Sequence, residues 1–249
     1  MRKEQISTGV ILAGGGGTRL RPVLPDSAKS AAPVHGRPFI HWLLEQVAGA
    51  GVQRIILCTG YRCQDVEAAA GREHRGIPIL YSVEGRPLGT GGALKQAHDR
   101  FGDGGTWIVM NGDSYCAIDL AELAADHLAA RLYATIAVVE ADDAGRFGSV
   151  VISHNRRVTS FLEKQRSGGG PGWVNAGVYV FSEPFLAALP AGTPLSLELQ
   201  VLPQWLWQGM HAFKRRARFI DIGTPESYAL AQQFFMETGG ASSRTEPYF

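Results

Sequence analysis

The sequence predicts an α/β protein in which a Rossmann-like, mainly parallel sheet is sandwiched by helices and carries a small antiparallel extension. Two observations favour this class. Short apolar runs typical of strands alternate with segments of helical periodicity through the first half of the chain, which favours right-handed crossovers and parallel pairing. Polar motifs also follow several of the apolar runs, at the strand ends where such sheets bind their ligands.

The elements of the first half follow from these periodicities. Strands are expected at residues 9–12, 54–58, 77–83, 106–110 and 133–139. Helices are expected over residues 39–47, with Gly51 as a C-terminal cap, and over residues 64–70, 92–101 and 120–130.

The pattern changes after about residue 141. Short β-like runs at residues 149–153, 158–163 and 173–181 replace the regular alternation, with a glycine-rich segment before the last of them. We expect an antiparallel extension that carries a second ligand without a core of its own. Thr224 as N-cap and Pro225 at the first helical position predict a last helix through about Thr238, followed by a loose tail.

Composition limits the classes of partner. The formal net charge of +1 argues against nucleic acid or an anionic membrane as a bulk electrostatic partner. No stretch approaches the roughly 18 apolar residues of a membrane span, and the first apolar run is too short for a signal peptide. Three cysteines without a Cys-x-x-Cys pair favour a reduced, cytoplasmic protein.

A glycine-rich loop after the first predicted strand is the clearest ligand-binding signal. Glycines let backbone N–H groups approach phosphate oxygens, and nearby cationic side chains neutralise their charge. Neither the Walker A loop nor the dinucleotide fingerprint matches this spacing. A ligand-free turn is the less favoured alternative, because ordering four glycines is entropically costly. The predicted phosphate-binding residues are Leu12, Ala13, Gly14, Gly15, Gly16, Gly17, Thr18, Arg19 and Lys29.

Two aspartates are candidate metal ligands. Asp113 follows an apolar strand and an Asn-Gly turn, and Asp221 interrupts the apolar run 219–223. A buried carboxylate needs a cation or several donors, and two carboxylates beside substrate phosphates are a usual Mg²⁺ arrangement. The alternatives are a turn-capping role for Asp113 and a structural hydrogen-bonding role for Asp221. The seven histidines show no metal-binding spacing, and His41 and His127 are expected at the surface of helices.

Six motifs, in order, make the chain resemble the sugar-1-phosphate nucleotidyltransferases, also called nucleotide-sugar pyrophosphorylases. They lie at residues 14–29, 87–92, 111–113, 161–164, 175–177 and 221–225. Residues 81–84, 146–148 and 219–223 are most similar to the D-glycero-D-manno-heptose 1-phosphate guanylyltransferase branch. The chain departs from the family next to Lys29, where Ala28 and Ser30 stand in place of a frequent proline.

The resemblance implies the nucleotide-diphospho-sugar transferase type of α/β fold and the reaction of an NTP with a sugar 1-phosphate to give an NDP-sugar and pyrophosphate. It implies a single nucleotidyltransferase domain over residues 1–240, in which residues 1–140 bind nucleotide and residues 141–240 bind sugar phosphate, with a tail at 241–249. Such displacements depend on positioning and charge neutralisation, and the anionic nucleophile needs no general base.

Roles for individual residues follow from the resemblance. The catalytic residues it implies are Arg19, Lys29, Asp113, Lys164 and Asp221, with Mg²⁺ on Asp113 and Asp221. The sugar-phosphate residues it implies are Gly148, Glu163, Lys164 and Asn175. Without the family match, Glu163 and Lys164 would be interpreted as a surface ion pair.

The nucleobase site is predicted around Glu84, which can accept both N1–H and N2–H₂ of guanine. The residues expected beside it are Gly89, Thr90, Gly91, Gly92, Asn111 and Gly112. The alternative is that Glu84 only braces the loop at residues 85–92. GTP and a heptose or mannose-type 1-phosphate are the preferred substrates, in an enzyme that can form a homodimer. The other hypotheses are a uridylyl- or thymidylyltransferase acting on a hexose 1-phosphate, and a non-catalytic nucleotide-sugar-binding regulatory paralogue.

Overall fold

The computed structural model describes residues 6–144, 149–162, 170–238 and 246–247. The strands, in chain order, are β1 (Ile6–Leu12), β2 (Pro33–Val34), β3 (Arg37–Pro38), β4 (Arg54–Thr59), β5 (Glu73–His74), β6 (Ile77–Val83), β7 (Thr106–Asn111), β8 (Ser114–Cys116), β9 (Ala134–Ala141), β10 (Val150–Ile152), β11 (Val158–Phe161), β12 (Gly172–Phe181), β13 (His211–Arg216), β14 (Phe219–Asp221) and β15 (Glu246–Pro247).

The helices lie mostly between consecutive strands. They are α1 (Phe39–Gly49), α2 (Cys63–Ala70), α3 (Gly89–Phe101), α4 (Leu120–Ala130), α5 (Glu183–Ala187), α6 (Leu202–Trp205) and α7 (Pro225–Thr238). A π-helical turn, Leu197–Val201, leads into α6, and 3₁₀ turns occupy Lys29–Ala31 and Leu206–Gln208. Within the described ranges, no helix combines the length and apolar character that crossing a membrane requires.

Nine strands form one sheet, in the order β15-β13-β9-β12-β7-β1-β4-β6-β5. Its centre is parallel: β1 pairs with β4 and β7, and β4 pairs with β6. Smaller antiparallel pairs join β10 to β11, β14 to β8 and β2 to β3. The predicted α/β class, with a mainly parallel sheet and small antiparallel parts, is confirmed.

One strand of the predicted antiparallel extension lies inside the main sheet. β12 pairs antiparallel with β7 on one side and with β9 on the other. Its residues from Val178 to Phe181 are buried on both faces of the sheet. A strand that is covered on both faces has a continuous apolar sequence instead of alternating apolar and polar residues. Such a sequence does not show whether the strand lies in the main sheet or in a separate extension.

Helices cover both faces of the sheet, and each face has its own core. Side chains of β1 alternate, with Ile11 entering one core and Val10 and Leu12 entering the other. α1, α2, α4 and α7 contribute to the first core, and α3, α5 and α6 contribute to the second.

Two local expectations were wrong. His127 is buried rather than at the surface: its Nδ1 lies 2.9 Å from Thr135 Oγ1 and its Nε2 lies 2.9 Å from Ser182 Oγ. In the predicted tail, Glu246–Pro247 forms a short strand against β13. The helical period placed His127 on α4 correctly but could not show that the sheet would cover that side of the helix.

Candidate active site

A cavity of about 710 Å³ opens where β1, β4, β6 and β7 end. This is the edge of the sheet that the sequence motifs indicated. The predicted site residues in its lining are Leu12, Ala13, Gly14, Gly15, Gly16, Lys29, Glu84, Gly89, Thr90, Asn111, Gly112 and Asp113. The lining also contains residues that were not predicted, among them Arg21, Tyr61 and Glu198.

Different structural constraints act at the individual glycine positions of the loop after β1. A Cβ added to Gly14 would lie 2.4 Å from Glu84 Oε1, so any larger residue there would displace the Glu84 carboxylate. Gly17 has a φ of +58°, which favours glycine for backbone reasons. A Cβ at Gly15 would meet nothing within 4 Å. Packing therefore does not require glycine at position 15, where the bare backbone faces the cavity.

Three charged side chains converge on Gly223, two residues after the end of β14. A Cβ at Gly223 would lie 2.8 Å from Asp221 Oδ1, 3.2 Å from Arg19 Nη2 and 3.4 Å from Lys29 Nζ. Lys29 Nζ also forms an ion pair of 2.6 Å with Asp113 Oδ2. The two cations and two carboxylates predicted to be catalytic are thus neighbours, although they are far apart in sequence.

Pairing of β8 with β14 brings the two aspartates together. Asp221 lies opposite Ser114, and the N–H of Ile222 donates to the carbonyl of Asp113 at 2.8 Å. Asp221 Oδ1 also accepts hydrogen bonds from Gly223 N at 2.7 Å and from Ser227 Oγ at 3.1 Å. Asp221 therefore has the structural hydrogen-bonding role that was one alternative, alongside its place in the charged cluster.

Glu84 lies half-buried at the end of β6. Burial raises the pKa of its carboxyl group, and the hydrogen bond from Leu88 N opposes that rise. This bond, of 2.8 Å to Oε2, braces the loop before α3, as the alternative interpretation expected. The other oxygen, Oε1, lies beside Gly14 in the cavity wall.

The glycine motif at the start of α3 packs against a later segment. The N–H groups of Gly91 and Gly92 donate to the carbonyl oxygen of Leu195, at 2.8 and 3.3 Å. A Cβ at Gly89 would lie 2.6 Å from that same oxygen. Close backbone packing explains these glycines, and the members of the motif that line the cavity are Pro87, Gly89 and Thr90.

Asn175, a predicted sugar-phosphate residue, is engaged within the protein. Its Nδ2 donates to the Tyr179 hydroxyl at 2.8 Å, and its Oδ1 accepts from Gly177 N at 2.8 Å. The Tyr179 hydroxyl in turn lies 3.4 Å from Glu198 Oε1, so Asn175 is linked to the cavity through these side chains. Gly148, Glu163 and Lys164 lie outside the described residues.

Sequence reasoning missed several residues of the lining, among them Arg21, Tyr61 and Glu198. Arg21 lies two positions after Arg19, and that basic run was the signal that could have revealed it. The Arg21 guanidinium lies 5.0 Å from the centre of the Tyr61 ring, where the pair forms part of the cavity wall. Glu198 follows no predicted strand, so no local signal indicated its place.

Comparison with known proteins agrees with these observations. The family model for nucleotidyl transferases matches residues 8–238. The chain is 33% identical, over 90% of its length and 96% of the relative's, to a D-glycero-alpha-D-manno-heptose 1-phosphate guanylyltransferase of Aneurinibacillus thermoaerophilus. It is 35% identical to a mannose-1-phosphate guanylyltransferase of Mycobacterium tuberculosis over 88% of this chain, which spans 62% of that longer protein.

Solved structures show the same architecture. The crystal structure of HddC from Yersinia pseudotuberculosis complexed with GMP-PN superimposes with a TM-score of 0.80 at 37% identity, covering 92% of this chain and all of that one. A putative glucose-1-phosphate thymidylyltransferase from Bacillus anthracis also superimposes with a TM-score of 0.80, but at 23% identity it indicates the fold alone.

The sheet topology and the cavity at its strand ends define an α/β protein of the nucleotide-sugar-transferase architecture. The chain belongs to the nucleotidyl transferase family, as the resemblance implied.

Proposed function

We propose that this protein is a guanylyltransferase that joins GTP to D-glycero-D-manno-heptose 1-phosphate, forming GDP-heptose and pyrophosphate for cell-surface polysaccharide synthesis. The single observation that carries the proposal is the convergence of Arg19, Lys29 and Asp221 on Gly223, with Lys29 paired to Asp113. The names of the relatives with similar length and sequence support the choice of sugar and base.

The charged cluster suits a displacement at the α-phosphate. The sugar phosphate oxygen attacks the α-phosphorus while the bond to pyrophosphate breaks, so negative charge shifts to the leaving group. Arg19 and Lys29 neutralise that charge, and the backbone at Gly15 and Gly16 binds the phosphates. Because these groups are held in place before the reaction, they require little reorganisation during it.

Two carboxylate oxygens in the cluster fit a divalent cation, which we propose is Mg²⁺. Asp113 Oδ1 and Asp221 Oδ2 accept no hydrogen bond from the part of the chain that the structure describes. The same part holds no cluster of three His, Cys, Asp or Glu side chains suited to a metal. Phosphate oxygens and water would therefore complete the coordination, and the metal would supply further charge neutralisation when bound.

Glu84 is the proposed reader of guanine. Its Oε2 keeps a second lone pair beyond the bond from Leu88, so bracing the loop and binding a base edge are compatible. On the sugar side, we propose Gly148, Glu163, Lys164 and Asn175, with Lys164 binding the attacking phosphate. We further propose that residues 1–240 form one catalytic domain with nucleotide and sugar-phosphate halves, in a cytoplasmic protein that can form a homodimer.

A pyrophosphate-release screen of four NTPs against a panel of sugar 1-phosphates tests the proposal. GTP with a heptose or mannose-type 1-phosphate should give the highest kcat/KM. Glu84→Gln should reduce the preference for GTP by about ten- to a hundredfold, while turnover with the other nucleotides changes less. Equal losses with all nucleotides would leave Glu84 only its loop-bracing role.

The same screen separates the competing functions. A preference for UTP or dTTP with a hexose 1-phosphate would identify a uridylyl- or thymidylyltransferase. Binding of a nucleotide sugar without any pyrophosphate release would identify a regulatory paralogue. The presence of Arg19, Lys29, Asp113 and Asp221 in one cluster favours catalysis, because a binding protein does not require those groups to meet.

A further inference from the structure

Glu198 lies at the junction of two walls of the cavity. Its Oε2 accepts a hydrogen bond from Thr90 Oγ1 at 2.8 Å and lies 3.3 Å from Ser196 Oγ. Its Oε1 lies 3.4 Å from both Asn111 Nδ2 and the Tyr179 hydroxyl. Four donors from separate parts of the chain thus fix this one carboxylate in the cavity lining.

The two oxygens of Glu198 differ in how well they are satisfied. The hydrogen bond from Thr90 to Oε2 has the usual length for a hydroxyl donor. Thr90 Oγ1 is itself held in place, because it accepts a hydrogen bond from Leu197 N at 2.8 Å. The contact of Oε1 with the Tyr179 hydroxyl is about 0.6 Å longer than a normal O–H···O bond, and its contact with Asn111 Nδ2 is about 0.4 Å longer than a normal N–H···O bond. Oε1 is therefore the oxygen that can take a short hydrogen bond from a ligand.

Charge and position indicate the kind of ligand group that meets Glu198. A carboxylate repels phosphates, so its partner must be a donor such as a sugar hydroxyl. The proposed guanine and phosphate contacts lie over the ends of β1, β4 and β6, at Gly14, Gly15 and Glu84. Glu198 instead contacts Asn111 at the end of β7 and Tyr179 on β12, on the opposite side of β1 in the sheet.

A second buried group next to Glu198 supports this assignment. Asn111 Oδ1 is buried and has no hydrogen-bond partner among the described residues, although its Nδ2 faces Glu198. Burial also raises the pKa of the Tyr179 hydroxyl, with the Glu198 charge as a further cause, so that hydroxyl remains a donor. Glu198 and Asn111 together present acceptors to a group that carries neighbouring hydroxyls.

We propose that Glu198 selects the sugar 1-phosphate by accepting a hydrogen bond from a ring hydroxyl of its sugar, and that Thr90 positions Glu198 for this role. The inference rests on the proposed function, because it assigns the second substrate to the β7 and β12 side of the cavity. Asn175, proposed above as a residue of the sugar side, also supports this carboxylate through Tyr179.

Binding of GDP and GDP-mannose to Glu198→Gln, measured by calorimetry, tests the proposal without requiring turnover. GDP carries the base, the ribose and both phosphates, so the two probes differ in the sugar and in the charge of the terminal phosphate, and each probe is compared between the wild type and the variant. We expect the Kd of GDP-mannose to rise about tenfold or more, and the Kd of GDP to stay within about twofold. Glu67→Gln, the same change on an exposed side chain of α2, should alter neither.

Thr90 variants test the positioning role. Thr90→Val removes both hydrogen bonds of the hydroxyl and should raise the Kd of GDP-mannose, as Glu198→Gln does. Thr90→Ser keeps the hydroxyl and should bind GDP-mannose as the wild type does. Added to Glu198→Gln, Thr90→Val should cause little further loss, because both act on one interaction. If the role of Thr90 were purely structural, the losses in binding free energy would add in the double variant, and binding of GDP would weaken as much as binding of GDP-mannose.

The outcomes separate this inference from the proposed function. Equal weakening of GDP and GDP-mannose by Glu198→Gln would assign the carboxylate to the ribose and overturn the inference, and unchanged binding of both would also overturn it. Failure of the wild-type protein to bind GDP would overturn the proposed function itself. Wild-type turnover with GTP together with an unaltered sugar-phosphate KM in Glu198→Gln would overturn the inference alone.

Discussion

The ion pair between Lys29 and Asp113 is the residue-scale feature on which their proposed catalytic roles depend. The Lys29 side chain is only 12% exposed, whereas that of Asp113 is 43% exposed and borders the cavity. A mostly buried ammonium group gains from a fixed partner, because losing water is costly for a charge. In the proposed reaction, oxygens of the bound polyphosphate would take over part of the interaction of Lys29 with Asp113. The Asp113 carboxylate would then be available to a cation.

Asp113→Asn and Asp221→Asn should each lower kcat by about two orders of magnitude or more. An amide keeps the shape of the side chain but removes the charge that a divalent cation requires. The measurement is steady-state pyrophosphate release as Mg²⁺ is titrated, with denaturant unfolding to check the fold. The exposed Asp142→Asn variant is the matched control and should retain full activity. Full wild-type turnover in excess chelator would contradict the role of the metal.

At the scale of elements, the start of α2 holds the loop that carries Lys29. Asp65 Oδ2 accepts hydrogen bonds from Ala28 N at 2.9 Å and from Arg62 Nε at 2.5 Å. The bond from Arg62 is the main cause that keeps the pKa of Asp65 below its usual value. Arg62, at the N-terminus of α2, has the left-handed φ of +54°. The 3₁₀ turn that begins at Lys29 is thus tied to α2 by one carboxylate.

Asp65→Ala should therefore lower kcat by about ten- to a hundredfold, because a small displacement of Lys29 weakens charge neutralisation in the transition state. Asp65→Asn keeps an acceptor for Ala28 N and should lose less. The measurements are kcat, the Kd of GTP and the free energy of unfolding for both variants. If kcat fell no more in the alanine variant than in the asparagine variant, the bond to Ala28 would not position Lys29.

His127 on α4 gives a prediction for pH. Burial lowers its pKa to about 4, so between pH 6.5 and 4 the unfolded chain binds a proton that the folded chain does not. Its contribution to stability is therefore complete above pH 6.5 and decreases as the pH falls towards 4. At pH 4.5 the loss is about 2–3 kcal/mol, from about 1.4 kcal/mol for each unit of pKa difference.

Urea unfolding of the wild type and His127→Gln at pH 7.5 and pH 4.5 checks this expectation. Glutamine can bond to Thr135 and Ser182 but does not titrate, and the nearby Asp126 and His211 are present in both proteins. The stability advantage of the wild type should thus shrink by about 2–3 kcal/mol at pH 4.5. An unchanged difference between the two proteins would show that His127 does not titrate in this range.

For the whole molecule, the cavity joins loops from several strands of one sheet, so ligand binding should stabilise the entire fold. GTP with Mg²⁺ at 100 times its Kd adds about 2.7 kcal/mol, which corresponds to about 5–10 °C in Tm for a chain of this size. Differential scanning fluorimetry with GTP, ATP and UTP at one concentration measures the effect. GTP should give the largest shift, and chelation should reduce it. Equal shifts with all three nucleotides would contradict guanine selectivity.

The topology of the whole sheet determines which loops share the cavity. β12 follows the predicted nucleotide-binding half in sequence but pairs with β7 and β9 in the middle of the sheet. Tyr179 and Asn175 therefore lie close to Asn111 and Glu198. The two halves of the chain share one sheet, and the cavity takes residues from both.

The sequence by itself determined many of the helices and strands and the position of the glycine-rich loop after the first strand. The helix over Leu120–Ala130 and the strand over Ile77–Val83 have the predicted bounds, because periodicity and turn residues are local signals. The strand-end positions of Gly15, Glu84 and Asp113 also followed from sequence, since parallel strands place their carboxyl ends at one edge.

Only the tertiary structure decided which side chains meet. Asp113 and Asp221 approach each other because β8 pairs with β14 across about a hundred residues of chain, and no local pattern specifies that pairing. The burial of His127 and the place of Glu198 in the cavity depend in the same way on which surfaces pack together. Local propensities fix the conformation of short segments, whereas contacts between distant segments depend on how all the apolar faces are buried at once.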